Sequence, residues 1–260
     1  MPDCIITTSW DDGHPHDLRL AELLVRYNLT GTFYVPRSIE SGVMTTSQLR
    51  DLSTRFEIGA HTLNHVFLTE TDDATAREEI AGSKKWVEET TGRACPMFCP
   101  PAGRFNRKHV SMFADAGFEG IRTVEFFSLD RPRKRASENG LLEMPTTLQA
   151  HPQTVAAYAR NMLKRRAFRN FWLYTTVGYG RNWPTLARRL LDRAVATGGV
   201  FHLWGHAWEI EASSQWVELE SVLRQLGEIV AAQQARCLTN GQVCKLAQEA
   251  PARTAVGAAT

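Results

Sequence analysis

The sequence predicts an α/β fold in which alternating strands and helices close into a (β/α) barrel, on three observations. Strand-like and helix-like segments alternate along the chain, as in parallel βα units. The 260 residues, 43% of them apolar, suffice for one large core, and no linker divides them. Unusual polar residues sit just past apolar runs, and barrel chemistry collects at the C-terminal ends of strands.

The first strand candidate, 4–9, is the apolar run through Ile5 and Ile6. A helix follows at 16–27, where Leu18, Leu20, Leu23 and Leu24 share a face. Strands at 31–35 and 56–60 precede a helix at 71–91. That helix is opened by Thr71-Asp72-Asp73 and closed near Gly92, with acids early and Lys84-Lys85 late, as the helix dipole favours. Strands are expected at 95–99, 119–124, 141–145, 171–177 and 200–204, and helices at 106–117, 152–167, 184–197 and 216–234. The last carries Trp216, Leu219, Val222, Leu223, Leu226, Ile229 and Val230 on one stripe. One domain over 1–249 and a small, polar, frayed tail at 250–260 complete the expectation.

Asp11 and Asp12 follow the first strand, and His61 and His65 follow the third. Neutral imidazoles and a carboxylate suit Zn²⁺ or a similar divalent ion, and three ligands leave a position open for water. Neighbouring strand residues point to opposite faces. Both carboxylates can therefore serve one site only if the chain turns between them, which Gly13 permits. One Asp can then bind metal while the other handles protons. Two further segments, Phe98 to Asn106 and Val200 to Trp208, also place unusual residues after apolar runs.

With those four segments the chain resembles the polysaccharide deacetylases of the NodB-homology type, carbohydrate esterase family four. Ser9-Trp10-Asp11-Asp12-Gly13 is similar to their first motif, Thr-Phe-Asp-Asp-Gly, and His61 to His65 matches the second, His-Ser/Thr-x-x-His. Cys99-Pro100-Pro101-Ala102-Gly103 aligns with Arg-x-Pro-Tyr-Gly, and Leu203-Trp204-Gly205-His206 with the final Leu-x-His. The resemblance implies a distorted barrel of about seven parallel strands. It also implies a metal held by Asp12, His61 and His65, with Asp11 as catalytic base, His206 as general acid, and the Ala102 backbone N–H in the oxyanion hole. Thr62 is expected to hydrogen-bond within the metal loop. Zn²⁺ is the first choice of ion, and Co²⁺, Ni²⁺ and Mn²⁺ are compatible.

The chain departs from the family pattern in two places. Cys99 stands where the family has the Arg that orients the base, and a thiol cannot form that bidentate ion pair. Arg122 is the expected substitute, ahead of Arg104. The family's fourth motif, which tunes the acid His, has no clear counterpart, and Asp130 and Glu125 are its candidates.

The implied reaction is amide hydrolysis, in which metal-activated water attacks an N-acetyl group of an amino sugar and His206 protonates the amine as it leaves. The expected substrate is an acetylated amino sugar, an oligosaccharide, or a lipid- or nucleotide-linked glycan. His14, Arg104 and Trp208 are the expected substrate contacts, with Glu209 or Glu211 as candidates at sugar hydroxyls. Trp172, Trp183 and Trp204 are further candidates for stacking on sugars. Two alternatives are a C–N hydrolase of cyclic imides or ureides on the same scaffold, and a degenerate carbohydrate-binding barrel.

Several features have simpler readings. His202 reads as a core histidine, and His16, His109 and His151 as surface or loop groups. Lys164-Arg165-Arg166 with Arg169 reads as a solvated helix end, with an anionic sugar or sugar nucleotide as the sharper alternative. A net charge of +2 gives no broad case for nucleic acid or membrane binding. The start has no basic and apolar leader, and no uncharged apolar stretch is long enough to span a bilayer. The expectation is a cytoplasmic protein without membrane insertion. Five cysteines, odd in number and irregular in spacing, argue for free buried thiols over a disulfide framework.

Overall fold

The computed structural model describes residues 3–134, 140–165, 167–178 and 182–249, so the tail expected at 250–260 lies outside the described residues. In chain order the elements begin β1 (Cys4–Asp11), α1 (Asp17–Arg26), β2 (Thr32–Val35), α2 (Thr46–Leu52), β3 (Glu57–Ala60), α3 (Asp73–Thr91), β4 (Met97–Phe98), α4 (Arg107–Asp115) and β5 (Gly120–Arg122). They continue with β6 (Arg133–Lys134), β7 (Leu142–Met144), β8 (Leu148–Gln149), α5 (Val155–Lys164), α6 (Phe168–Thr176) and α7 (Trp183–Thr197). The chain then runs through β9 (Gly199–Gly205), α8 (Ala207–Ala212), α9 (Trp216–Ala231), β10 (Arg236–Cys237) and α10 (Asn240–Glu249).

The sheet runs β6-β7-β5-β4-β3-β2-β1-β9-β8, and every pairing along it is parallel except β6–β7. The predicted α/β class and distorted (β/α) barrel are found. Among the described residues the sheet is not closed, because β6 and β8 stand at its two ends. β1 is central and buried along its whole length. It pairs with β9 from Cys4 to Trp10, while its other edge is shared by β10 at Ile5–Ile6 and β2 at Ser9–Asp11.

Side chains alternate between the faces of the strands. Cys4 and Ile6 join the main core, whereas Ile5 joins a smaller cluster with Met97, Leu142, Val200 and Val243. That second cluster is covered by α10, which packs on β1, β5 and β7. Buried polar residues on β1 find partners: Thr7 Oγ1 donates to Asn240 Oδ1 at 2.9 Å, and Ser9 Oγ meets His202 Nε2 at 2.8 Å.

Helix ends follow local chemistry. Asp72 caps α3 by accepting Thr75 N–H at 2.8 Å, and the helix stops at Gly92, whose φ of 67° is left-handed. Thr45 and Gln48 form a capping box on α2, a helix the sequence reading did not include. α8, α10, β6, β8 and β10 were also not anticipated, because each is short or lacks a strong period.

One expected strand is corrected. Residues 171–177 lie in and just beyond α6, because the aromatic and β-branched content that suggests a strand is arranged here with helical spacing. Asn170 and Tyr174, four apart, are the residues of α6 that face inward.

Candidate active site

The site is assembled from the C-terminal ends of β1, β3, β5 and β9, the end at which barrel chemistry gathers. Asp11 is the last residue of β1, and the chain reverses at once. Asp12 has φ 78° and Gly13 φ 62°, two left-handed residues in succession. The turn thus begins one residue earlier than the glycine suggested, which brings both carboxylates to one site. Gly13 is required for space as well, since an added Cβ would lie 2.4 Å from Val35 Cγ1.

After β3, the loop carrying His61 and His65 has left-handed backbone at Thr62 and His65. Thr62 Oγ1 donates to the His61 carbonyl at 2.6 Å. Glu79 of α3 pins this loop by accepting the N–H groups of Leu63 at 2.8 Å and Asn64 at 2.9 Å, and the Asn64 side-chain amide at 2.6 Å. The sequence reading missed Glu79, an acid buried mid-helix, for which only its helical period gave a signal.

Asp12 Oδ1 lies 3.4 Å from His61 Nε2 and 3.1 Å from His65 Nε2. His61 Nδ1 is 2.6 Å from the Cys99 carbonyl, which fixes the proton there and leaves Nε2 bare. Trp208 Nε1 donates to Asp12 Oδ2 at 2.8 Å, and buried Oδ1 has no hydrogen-bond donor among the described residues. One orphaned carboxylate oxygen facing two imidazole nitrogens is a donor set that fits a divalent ion. Burial works against charge on Asp12, but the closeness of His61 and His65 prevails and holds its carboxyl far below the usual range. Asp11, His61 and Cys99 also cluster, but both Asp11 oxygens are engaged elsewhere and burial pushes the Cys99 thiol well up, so this second set does not fit.

Asp11 is clamped by Arg122. The fully buried guanidinium of β5 places one Nη on both carboxylate oxygens, and it lies between the rings of Trp204 at 4.7 Å and Tyr34 at 5.4 Å. Cys99 Sγ sits 3.9 Å from Asp11 Oδ2, beside the carboxylate that the family's Arg would orient. Burial opposes ionisation of Asp11, and the charge of Arg122 above all lowers its pKa nonetheless. Arg104 is elsewhere, paired with Glu70 at 2.5 Å and lying over the Phe67 ring at 4.4 Å.

His206 follows β9 and precedes α8, with Nε2 3.9 Å from an oxygen of each Asp. Its Nδ1 meets Glu209 Oε2 at 2.6 Å, and Gln149 Nε2 donates to the same oxygen at 2.8 Å. Burial disfavours the imidazolium, but the Glu209 bond and the two Asp charges raise the His206 pKa to about 9. The fourth-motif candidates are therefore corrected. Asp130 faces Arg169 at 3.5 Å, and Glu125 pairs with Arg133 at 2.7 Å. Glu209 is the residue at His206, because a helix starting there turns the i+3 side chain back onto it.

Other expected contacts spread out. Trp208, 37% exposed, gives its N–H to Asp12, which leaves only its ring for a ligand. Trp204 and Trp183 are buried, and Glu211 accepts Trp216 Nε1 at 2.6 Å. His14 stacks on His16 at 4.7 Å near the Asp turn. His202 is buried between Ser9 and the Pro145 carbonyl, and burial lowers its pKa to about 3. Ala102, with φ 52°, lies exposed in the turn Pro101–Gly103. That turn borders a cleft of ≈ 1000 Å³ that runs away from the Asp and His cluster toward Lys164, Arg165 and Arg169.

Residues 1–121 match the family model described as polysaccharide deacetylase. A peptidoglycan-N-acetylglucosamine deacetylase of Bacillus cereus is 25% identical over 185 residues, 64% of this chain and 84% of that protein. Among solved structures, a chain from Mycobacterium smegmatis described as a polysaccharide deacetylase superposes with a TM-score of 0.72 at 17% identity, covering 100% of this chain and 96% of that one. An allantoinase superposes with a TM-score of 0.66 at 12% identity, covering 94% and 90%. At such identities these two structures establish the fold alone. Over its first 121 residues the chain is thus similar in sequence to the polysaccharide deacetylases, and over its described length it shares the fold of a chain so described.

Proposed function

We propose that the protein is a metal-dependent N-deacetylase that hydrolyses the acetamide of an acetylated amino sugar. The observation that carries this reading is the orphaned Asp12 oxygen facing the Nε2 atoms of His61 and His65, with the clamped Asp11 carboxylate and the His206 imidazole beside it. Asp12, His61 and His65 would hold the ion, which when bound polarises a carbonyl and brings the pKa of water toward neutrality.

The chain's own residues supply the proton transfers. Asp11, kept ionised by Arg122, is placed to accept a proton from the attacking water. His206, charged at neutral pH and held by Glu209, is placed to give one to the departing nitrogen. An amide requires that step because an amide anion is a very poor leaving group. The exposed turn at Ala102 offers a backbone N–H for the developing oxyanion. The Bacillus cereus relative supports an N-acetylglucosamine unit as the sugar, within a glycan or on a lipid- or nucleotide-linked carrier.

Acetate release from short N-acetylglucosamine oligomers, peptidoglycan fragments and a nucleotide-linked N-acetylglucosamine tests the proposal, alongside ring opening of hydantoin and allantoin. Acetate release that depends on added Zn²⁺ or Co²⁺ is expected. Asp12→Ala should lose both bound metal and turnover, whereas Asp11→Asn should keep the metal and lose turnover. Full activity in Asp11→Asn would remove Asp11 as the base, and turnover of the cyclic ureides alone would replace the deacetylase reading.

A further inference from the structure

The overall charge of +2 conceals a strong segregation. From residue 144 through 191 there is no Asp or Glu, while Lys and Arg number eight, so the remainder of the chain is net acidic. The middle of this stretch is α5 and α6, two helices that pack on each other.

Their outward surface is unusual. Leu163, Phe168, Phe171 and Trp172 are 69%, 75%, 47% and 60% exposed, and they fall within ten residues. Among the described residues only Val25, Trp208 and Val217 join them as exposed large apolar side chains. Phe168, Phe171 and Trp172 are spaced i, i+3, i+4, so the apolar stripe of α6 points away from the core. Basic groups are interleaved with it: Lys164 is exposed at the end of α5, and the Arg169 side chain is 87% exposed on α6, with Asp130 3.5 Å away on its cleft side.

We infer that the α5–α6 hairpin is a peripheral docking surface for an anionic phospholipid bilayer. An outward stripe of Leu, Phe and Trp flanked by Lys and Arg is the composition of a helix that lies in a bilayer interface, with its rings among the acyl chains and its cations against the headgroups. A second copy of the chain is a poor occupant, because a two-fold contact would set this cationic patch against itself. Among the described residues no helix is long and apolar enough to cross a membrane, and a stripe of this composition attaches at the interface and reversibly. Lys164, Arg165, Phe168 and Arg169 also wall the cleft that starts at the Ala102 turn. Docking would therefore hold the mouth of that cleft against the lipid surface. The inference goes beyond the deacetylase reading and does not rest on it.

Co-sedimentation of the full chain with vesicles tests it directly. Binding is expected to phosphatidylcholine vesicles containing phosphatidylglycerol, but not to phosphatidylcholine alone, and it should weaken as salt is raised. Phe168→Ser with Trp172→Ser should reduce partitioning at least tenfold. Lys164→Glu with Arg169→Glu should reduce it further, at roughly fivefold or more per cation lost. All four side chains are exposed, and circular dichroism of the variants checks that the fold is kept. Failure of the wild-type chain to bind anionic vesicles would overturn the inference. So would binding indifferent to both double substitutions, or self-association that the apolar pair abolishes while the vesicles stay unbound. None of these outcomes bears on acetate release in solution, so the two proposals fail separately.

Discussion

Single side chains decide how the base and the acid are held. Asp11, Asp12, His61, His65 and His206 were readable because each follows an apolar run, and Arg122 could be named because the chain lacks an Arg at position 99. Glu209 was read as a sugar contact, since a sequence does not show that a helix begins at His206. Replacing Arg122 by Met should leave Asp11 buried without its partner and cost about 3–5 kcal/mol, measured by denaturant unfolding. Because the folded pKa of Asp11 is lowered, its contribution to stability is present above the unfolded carboxylate pKa and is lost as pH falls through the folded one. In Arg122→Met that acid-side dependence should shrink. For His206 the sign is opposite: its pKa is raised to about 9, so the proton needed by the leaving group is held at neutral pH and lost as pH rises through that value. Glu209→Gln should move the basic limb of the kcat/KM profile to lower pH, and an unmoved limb would show that Glu209 does not tune the acid.

Elements set the backbone on which these side chains ride. The reversal after β1 needs left-handed backbone at Asp12 and Gly13, and Gly13→Ala would meet both that conformation and the Val35 side chain. A loss of about 1–3 kcal/mol is expected on unfolding, with weaker metal binding because the Asp12 carboxylate is displaced. The loop after β3 depends on Glu79 of α3. Glu79→Ala removes the acceptor of two backbone N–H groups, and it should lower metal affinity about 10–100-fold by titration. The long helices were legible because period and caps agree, as in α3. α6 was not, because an aromatic, β-branched run of that length fits either structure until its neighbours decide which side is buried.

The whole molecule unites four strand ends that are far apart in sequence, so the site exists only when the sheet is formed. Ion binding to the native state alone should therefore stabilise the fold, by about 4 kcal/mol at a free metal concentration a thousand times Kd. Chelation should lower Tm by roughly 2–4 °C for each kcal/mol removed, and Asp12→Ala should show no such response. Sequence by itself determined the alternation of elements, the residue types at the strand ends, and the family they resemble, because periodicity and motif chemistry are local properties. Only the tertiary structure decided that Arg122 reaches Asp11 from β5, that Glu209 rather than Asp130 or Glu125 meets His206, and that the apolar stripe of α6 faces outward. Each of these depends on which strands lie side by side and which helix face the core accepts, and those are long-range outcomes of packing.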